Sequence, residues 1–392
     1  MAMSSFITMK LAKLAILILT LLGATAFVFP REWFFPRDYV ADSDQFLLEV
    51  VAKGLVHPWS MVFLPDGRML VSERTGQLRV VTQQGNISAS ISGVPEVYAR
   101  GQGGLLGLAL DPHFTKNRKI YFSFSEPEKD LSGTAVASAE LTESGLQHVK
   151  VIFRQHPKVK GSAHYGSRLV FAPDGTLFIT MGDRLDYSEQ AQSLSDHLGK
   201  VVRINTDGST PSDNPFVRTE GAQPEIWSYG HRNMQGAALN PVTGVLWTQE
   251  HGPRGGDEIN IDKAGKNYGW PHACYGSHYS GIDIPDDHAS RGFEEPTYYW
   301  TPSIAPSGMV FYTGAAFPQW QHTLFVGALG GEQLVRLELD GDKVVREEKL
   351  LTNLGTRIRD VVQGPDGFLY LLTDEENGHL LRLVPSQNKV GD

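Results

Sequence analysis

One small unit recurs six times along this chain and limits the folds open to it. It is a short apolar strand, a turn built on Pro-Asp-Gly or a relative of it, and a second apolar strand ending among polar residues. The clearest copies are MVFLPDGRMLVSER (61–74), LVFAPDGTLFITMGDR (169–184) and VVQGPDGFLYLLTDEE (361–376). Looser copies are LALDPHFTKNRKIYFSFSE (108–126), AALNPVTGVLWTQEHG (237–252) and MVFYTGAAFPQWQHTLFVGAL (309–329). Proline presets φ at one turn position and glycine accepts a positive φ at another, so each copy reads as a β-hairpin. A lone hairpin cannot bury its apolar face, and six of them imply stacking into a closed array. Their spacing is too long for a short-repeat solenoid and suits four-stranded blades with variable outer loops. The expected fold is all-β, a six-bladed β-propeller, in preference to unrelated hairpins in a sandwich or two barrels.

Of the 392 residues, 41% are hydrophobic, enough for a sizeable core, and the net charge is −9. No Lys/Arg-rich run tracks a phosphate backbone, so nucleic acid is not an expected partner. The single cysteine, Cys274, excludes an intrachain disulfide and argues against a Cys-based metal site. Lys10 and Lys13 precede an apolar stretch from Leu14 to Phe29, with Ala24-Thr25-Ala26 as a small-residue cleavage site. This reads as a secretory signal, with an uncleaved membrane anchor as the competing reading. Both send the body of the protein out of the cytoplasm. Residues 1–40 are therefore expected to be signal or anchor plus a short linker, and 41–392 one propeller domain, monomeric or homodimeric.

Polar and glycine-rich residues collect where the hairpin units end, in GQGGLLG (101–107), GSAHYGSR (161–168), YGHRNMQG (229–236), EHGPRGGDEIN (250–260) and GTRIRD (355–360). A propeller brings such loops to one face around its axis. The first cluster lacks both the dinucleotide glycine spacing and a Walker lysine. Asp257 and Glu258 fit either a solvated turn or hard oxygen ligands for Ca²⁺. Arg357 and Arg359 alternate, so on a strand both point the same way and suit a carboxylate ligand as well as a solvated edge. His164 opens one hairpin and Asp183 closes it. A carboxylate on one imidazole nitrogen fixes the tautomer and raises the basicity of the other. No serine elbow or cysteine nucleophile accompanies them.

These clusters, in this order, resemble the soluble quinoprotein glucose dehydrogenases, and more closely the PQQ-dependent aldose sugar dehydrogenases of bacterial periplasms. The resemblance runs from about residue 45 to 385 and is most specific in SYGHRNMQGAALNP, EHGPRGGDEINI and GKNYGWP, within 228–271. It implies a six-bladed propeller holding pyrroloquinoline quinone (PQQ), a flat tricarboxylate, over the axis with Ca²⁺ at its quinone edge. By resemblance, His164 is the general base for an aldose's anomeric hydroxyl, hydride passes from sugar C1 to quinone C5, and Asp183 orients His164. Gln102, Arg232 and Asn233 contact the cofactor, with Arg232 near the reacting carbonyl, and Arg357 and Arg359 pair with its carboxylates. Tyr279 joins the cofactor contacts, and Tyr298 and Trp300 wall the sugar site. The carbonyls of Gly252 and Pro253 hold the catalytic Ca²⁺, and Glu258 with the Tyr268 carbonyl holds a structural one. The electron acceptor and the sugar are left unspecified.

One position departs from the pattern. Many family members carry a lysine in the segment that here reads VGALGGEQLVRL (326–337), and its place is taken by Gly330. Losing such a charge-assisted contact costs about 1.5–3 kcal/mol, or about ten- to a hundredfold in affinity. The alternative that this raises is a non-catalytic propeller binding a ligand or protein at the same face. A lactonase-like hydrolase would need acidic metal ligands from several blades, and the sequence does not supply them.

Overall fold

The structure, a computed structural model, describes residues 45–386 together with a two-residue strand, Asp38–Tyr39. The signal-or-anchor reading of residues 1–40 lies outside the described residues, that short strand aside. The recurring unit folds as expected: all six copies form the two inner strands of six antiparallel sheets. Blade 1 is Pro58–Phe63, Met69–Glu73 and Gln77–Val81, and blade 2 is Leu105–Leu110, Lys119–Glu128, Leu131–Thr142 and Gly145–Arg154. Blade 3 is Leu169–Phe171, Leu177–Thr180, Lys200–Ile204 and Ile226–Tyr229, and blade 4 is Met234–Leu239, Leu246–Glu250, Asp257–Ile261 and Tyr298–Trp300. Blade 5 is Pro306–Phe311, Thr323–Ala328, Leu334–Asp340 and Lys343–Leu350. Blade 6 takes Ile358–Gln363, Leu369–Thr373 and Gly378–Pro385 from the end of the chain and Phe46–Leu55 from its beginning, paired from Phe46 opposite Pro385 to Leu55 opposite Gly378. The innermost strands touch in sequence order around the axis, and the strand of blade 6 meets that of blade 1, closing the ring.

The three Pro-Asp-Gly turns share one geometry. In each, the glycine amide donates to the carbonyl three residues back, at Leu64, Ala172 and Gly364, and the glycine takes φ of 83°, 85° and 79°. In each, an aspartate Oδ1 accepts the amide two residues on, from Asp66 to Arg68, Asp174 to Thr176 and Asp366 to Phe368, at 2.9–3.1 Å. The tripeptide is therefore a tight-turn code: proline sets φ, aspartate caps, and glycine occupies the left-handed region.

The core lies between blades, and strand alternation builds it. Along Lys119–Glu128, Ile120, Phe122 and Phe124 pack toward blade 1 against Leu64, Leu70 and Leu78. Tyr121 on the other face packs toward blade 3 against Leu169, Leu177 and Ile179. The turns occupy one end of every hairpin. The residues leading into each innermost strand and those leaving each second strand consequently meet at the other end, beside the axis.

Candidate functional site

At that end a cavity of about 240 Å³ is lined by Trp59, Arg74, Gln102, Tyr165, Asn233, Gln235, His251, Arg357, Arg359 and Asp374, among others. Each arrives at a repeat-equivalent place, just before or within an innermost strand or just after a second strand. Two guanidiniums and an imidazole meet the Asp374 carboxylate, and a third guanidinium, that of Arg74, lines the same cavity. Arg359 Nη2 lies 2.6 Å from Asp374 Oδ2, Arg357 Nε lies 3.6 Å from it, and His57 Nδ1 is 3.4 Å from Oδ1. Burial pushes the Asp374 carboxyl up, but Arg359, Arg74 and Arg357 outweigh it and hold the group far below the usual carboxylate range. His251 Nε2 donates to the Pro306 carbonyl at 2.6 Å, and burial pulls its pKa down to about 3, so it is neutral.

His164 and Asp183 stand beside this cavity, buried, with Nδ1 and Oδ1 2.7 Å apart. Asp183 acts as an acceptor throughout: Oδ1 also takes the Leu185 amide at 2.8 Å, and Oδ2 takes the Trp270 indole N–H at 2.8 Å. Nδ1 is therefore the protonated nitrogen, and Nε2 carries the lone pair. Burial lowers the His164 pKa, the Asp183 hydrogen bond and charge oppose it, and Arg232 and Arg184 add to the lowering, for a net value below the ordinary one. The His164 backbone sits at φ 51°, its amide donating to Gln102 Oε1 at 2.8 Å. Arg184 pins the loop before it, donating to the carbonyls of Ala163 (2.9 Å) and Gly161 (2.8 Å) while stacking 3.8 Å from the Tyr165 ring.

Arg232 and Asn233 come from the loop entering blade 4. His231 Nδ1 lies 2.8 Å from Glu250 Oε1, and Glu250 Oε2 accepts the Arg232 amide, so a buried pair sets the Arg232 backbone. Its guanidinium donates to the carbonyls of His251 (3.0 Å) and Gly252 (2.9 Å) and to the Tyr279 hydroxyl (3.1 Å), above the Trp270 ring. Asn233 Oδ1 accepts the Gly166 amide at 3.2 Å, linking the His164 loop to blade 4.

The structure thus brings together Gln102, Asn233, Arg357 and Arg359 on one cavity, with His164, Asp183 and Arg232 around it. Tyr279 is exposed and reaches Arg232 rather than the cavity lining. Tyr298 and Trp300, expected as walls of a sugar site, are not brought there. The Tyr298 hydroxyl (2.8 Å) and Trp300 indole (2.7 Å) both donate to Glu347 Oε2, and the two rings pack in the seam between blades 4 and 5. Gly252, Glu258 and Tyr268 share a separate cavity of about 10 Å³, space for one water or ion; Pro253 is not part of its lining. Sequence reasoning missed Arg74, Asp374 and His251. The signal was present: Arg74 and Asp374 each stand seven residues after a repeat's Pro-Asp-Gly glycine, beside the place that Asp183 takes in its own copy.

Comparison with known proteins agrees with this arrangement. Residues 55–382 match the Glucose / Sorbosone dehydrogenase family. Aldose sugar dehydrogenase YliI of Escherichia coli is 48% identical over 86% of this chain and 92% of its own length. Quinoprotein glucose dehydrogenase B of Acinetobacter calcoaceticus is 30% identical over 85% of this chain and 86% of its own. Among solved structures, the PQQ-bound aldose sugar dehydrogenase of Streptomyces coelicolor superposes with a TM-score of 0.71 at 28% identity, covering 88% of this chain and 99% of that one. With the match spanning nearly the whole propeller and every cluster around its axis, the chain belongs to the glucose/sorbosone dehydrogenase family.

Proposed function

We propose that the protein is an aldose sugar dehydrogenase that binds PQQ in the central cavity with Ca²⁺ close by, oxidises the sugar at C1 to its lactone, and works outside the cytoplasm. The observation that carries the reading is a buried, tautomer-fixed His164–Asp183 pair beside a cavity rich in guanidinium groups. The kinship with aldose sugar and quinoprotein glucose dehydrogenases supports it. The apolar Leu14–Phe29 stretch behind Lys10 and Lys13 supports export.

The residues present fit a flat polyanion. The buried Nε atoms of Arg232 and Arg359 have no hydrogen-bond partner among the described residues, and a buried unpaired donor is costly until an acceptor meets it. They fit Ca²⁺ as well. Among the described residues no three His, Cys, Asp or Glu side chains form a cage, so the structural cation would rest on Glu258 and the Tyr268 carbonyl, ligands that Ca²⁺ accepts, while the Gly252 carbonyl expected at the catalytic cation carries the Arg232 guanidinium here. Burial, then the neighbouring Glu250 charge, push Glu258 well above the usual carboxylate range, a penalty that a bound cation reverses. A β-carbon on Gly252 would lie 2.1 Å from the Gly255 carbonyl and 2.4 Å from that of Gly256, so only glycine keeps this carbonyl-rich turn closed.

When bound, PQQ supplies a two-electron hydride acceptor and Ca²⁺ a Lewis acid that polarises it. The chain does the rest. His164 Nε2 takes the proton of the sugar's anomeric hydroxyl as the C1 hydride leaves, which turns the aldose into its lactone. Asp183 holds the ring in the productive tautomer and stabilises the imidazolium that forms. Arg232 places a fixed positive charge where negative charge develops. Arg357 and Arg359 would meet the cofactor's carboxylates with charge-assisted hydrogen bonds. The test is aldose oxidation with an artificial dye acceptor, by purified protein with and without added PQQ and Ca²⁺. Activity that saturates with PQQ supports the proposal, and its absence at every PQQ concentration sinks it in favour of the non-catalytic binding propeller.

A further inference from the structure

The cavity holds a cation to which nothing above has given a ligand. Arg74 follows the second strand of blade 1 and lines the cavity together with Arg357, Arg359 and Asp374. Its placement is fixed from both sides: its amide donates to the His57 carbonyl at 3.0 Å, and its own carbonyl accepts the Leu105 amide at 3.2 Å. Gly104 makes that close approach feasible, since a β-carbon there would sit 1.8 Å from the Arg74 oxygen. The guanidinium gives one of its donors, Nη1, to the Gly101 carbonyl at 2.5 Å, and an arginine has five. Asp374 balances one of the three guanidiniums and leaves two positive charges in excess, with His251 adding none. That excess exceeds what the Arg357–Arg359 pair supplies once Asp374 is counted. Gly330, the position without the lysine, follows Leu329 on the same cavity wall, its amide held by Ile304 at 2.9 Å.

We propose that Arg74 is a further cofactor-binding residue, a cationic contact for a carboxylate or quinone oxygen of PQQ that takes over the role left empty at Gly330. The inference rests on the PQQ reading above. It assigns Arg74 a second task through the same loop. Gly101 and Gln102 are neighbours, and Gln102 Oε1 receives the His164 amide, so ligand charge drawn onto Arg74 also steadies the segment that positions the base.

The experiment is equilibrium titration of the full chain with PQQ in excess Ca²⁺, followed by quenching of intrinsic fluorescence, for the parent, Arg74→Met and Arg74→Lys, with the apoprotein melting temperature recorded for each. The expected result is a Kd for PQQ raised about ten- to a hundredfold in Arg74→Met, recovered in part in Arg74→Lys, with unchanged apoprotein melting. Equal Kd values for parent and Arg74→Met overturn the inference and leave the PQQ reading standing. A lower melting temperature with unchanged Kd also overturns it, by making Arg74 a structural residue. A parent that does not bind PQQ overturns both.

Discussion

His164 is set up as a base by groups that agree on its state. Asp183 accepts a hydrogen bond from Nδ1–H, Trp270 and Leu185 donate to Asp183 and hold it in place, and burial with Arg232 keeps the ring neutral. Catalysis needs the neutral form, so kcat/KM should be flat near neutrality and fall on the acid side, with an inflection below the ordinary histidine value of about 6.5. Asp183→Asn should lower kcat by about 10²–10⁴-fold while PQQ binding changes little, and steady-state kinetics with a separate binding titration check this. His251 makes a different prediction, on stability. Its folded pKa is depressed to about 3, so below about pH 6.5 the unfolded chain takes a proton that the native state refuses. The contribution is intact above the unfolded value and is lost as pH falls toward the folded one, at about 1.4 kcal/mol per pH unit. Melting temperatures between pH 7 and the acid limit should fall less steeply for His251→Gln than for the parent.

At the scale of elements, the site depends on how close two loops of blade 3 can come. A β-carbon on Gly182 would lie 2.1 Å from the His164 carbonyl oxygen. Gly182→Ala should therefore displace His164 and lower kcat by about a hundredfold or more with a small change in PQQ affinity; stopped-flow kinetics beside a binding curve measure both. The inner hairpins were legible in the sequence because their turn chemistry is local: Pro, Asp and Gly each act within the turn that they form. His164, Asp183 and Gln102 were legible because they sit at the ends of those hairpins. Tyr298 and Trp300 lie off the central cavity, and the resemblance that named them carries no information on which way their strand face turns. They share one strand face and enter a seam, while Tyr299 on the opposite face is exposed and stacks on Tyr275 at 3.9 Å. Arg74 and Asp374 escaped because their charges acquire meaning only when blades 1 and 6, distant in sequence, meet at the axis.

At the scale of the whole molecule, the ring is shut by pairing Phe46–Leu55 with Gly378–Pro385. No local signal specified that contact, because no turn joins the two strands. Leu48 and Leu383, opposite each other in that pairing, are both buried. Removing residues 1–55 should expose Gly378–Pro385 of blade 6 as an open edge and abolish a single cooperative melt, as followed by circular dichroism. Ca²⁺ should act on the assembled molecule by binding the native state alone. At a hundredfold excess over its Kd it should add about 2.7 kcal/mol, chelation should reverse the rise in melting temperature, and Glu258→Gln should lose it.

The central claim, that His164 is the base for sugar oxidation at a PQQ site, is tested most directly in a single turnover. PQQ-loaded parent and His164→Ala are mixed anaerobically with an aldose, and reduction of the bound quinone is followed by its absorbance, with the sugar protiated or deuterated at C1. The account predicts rapid reduction by the parent, slowed by C1 deuteration, and a rate at least about a hundredfold lower in His164→Ala with PQQ still bound. Equal rates in the two proteins would contradict it.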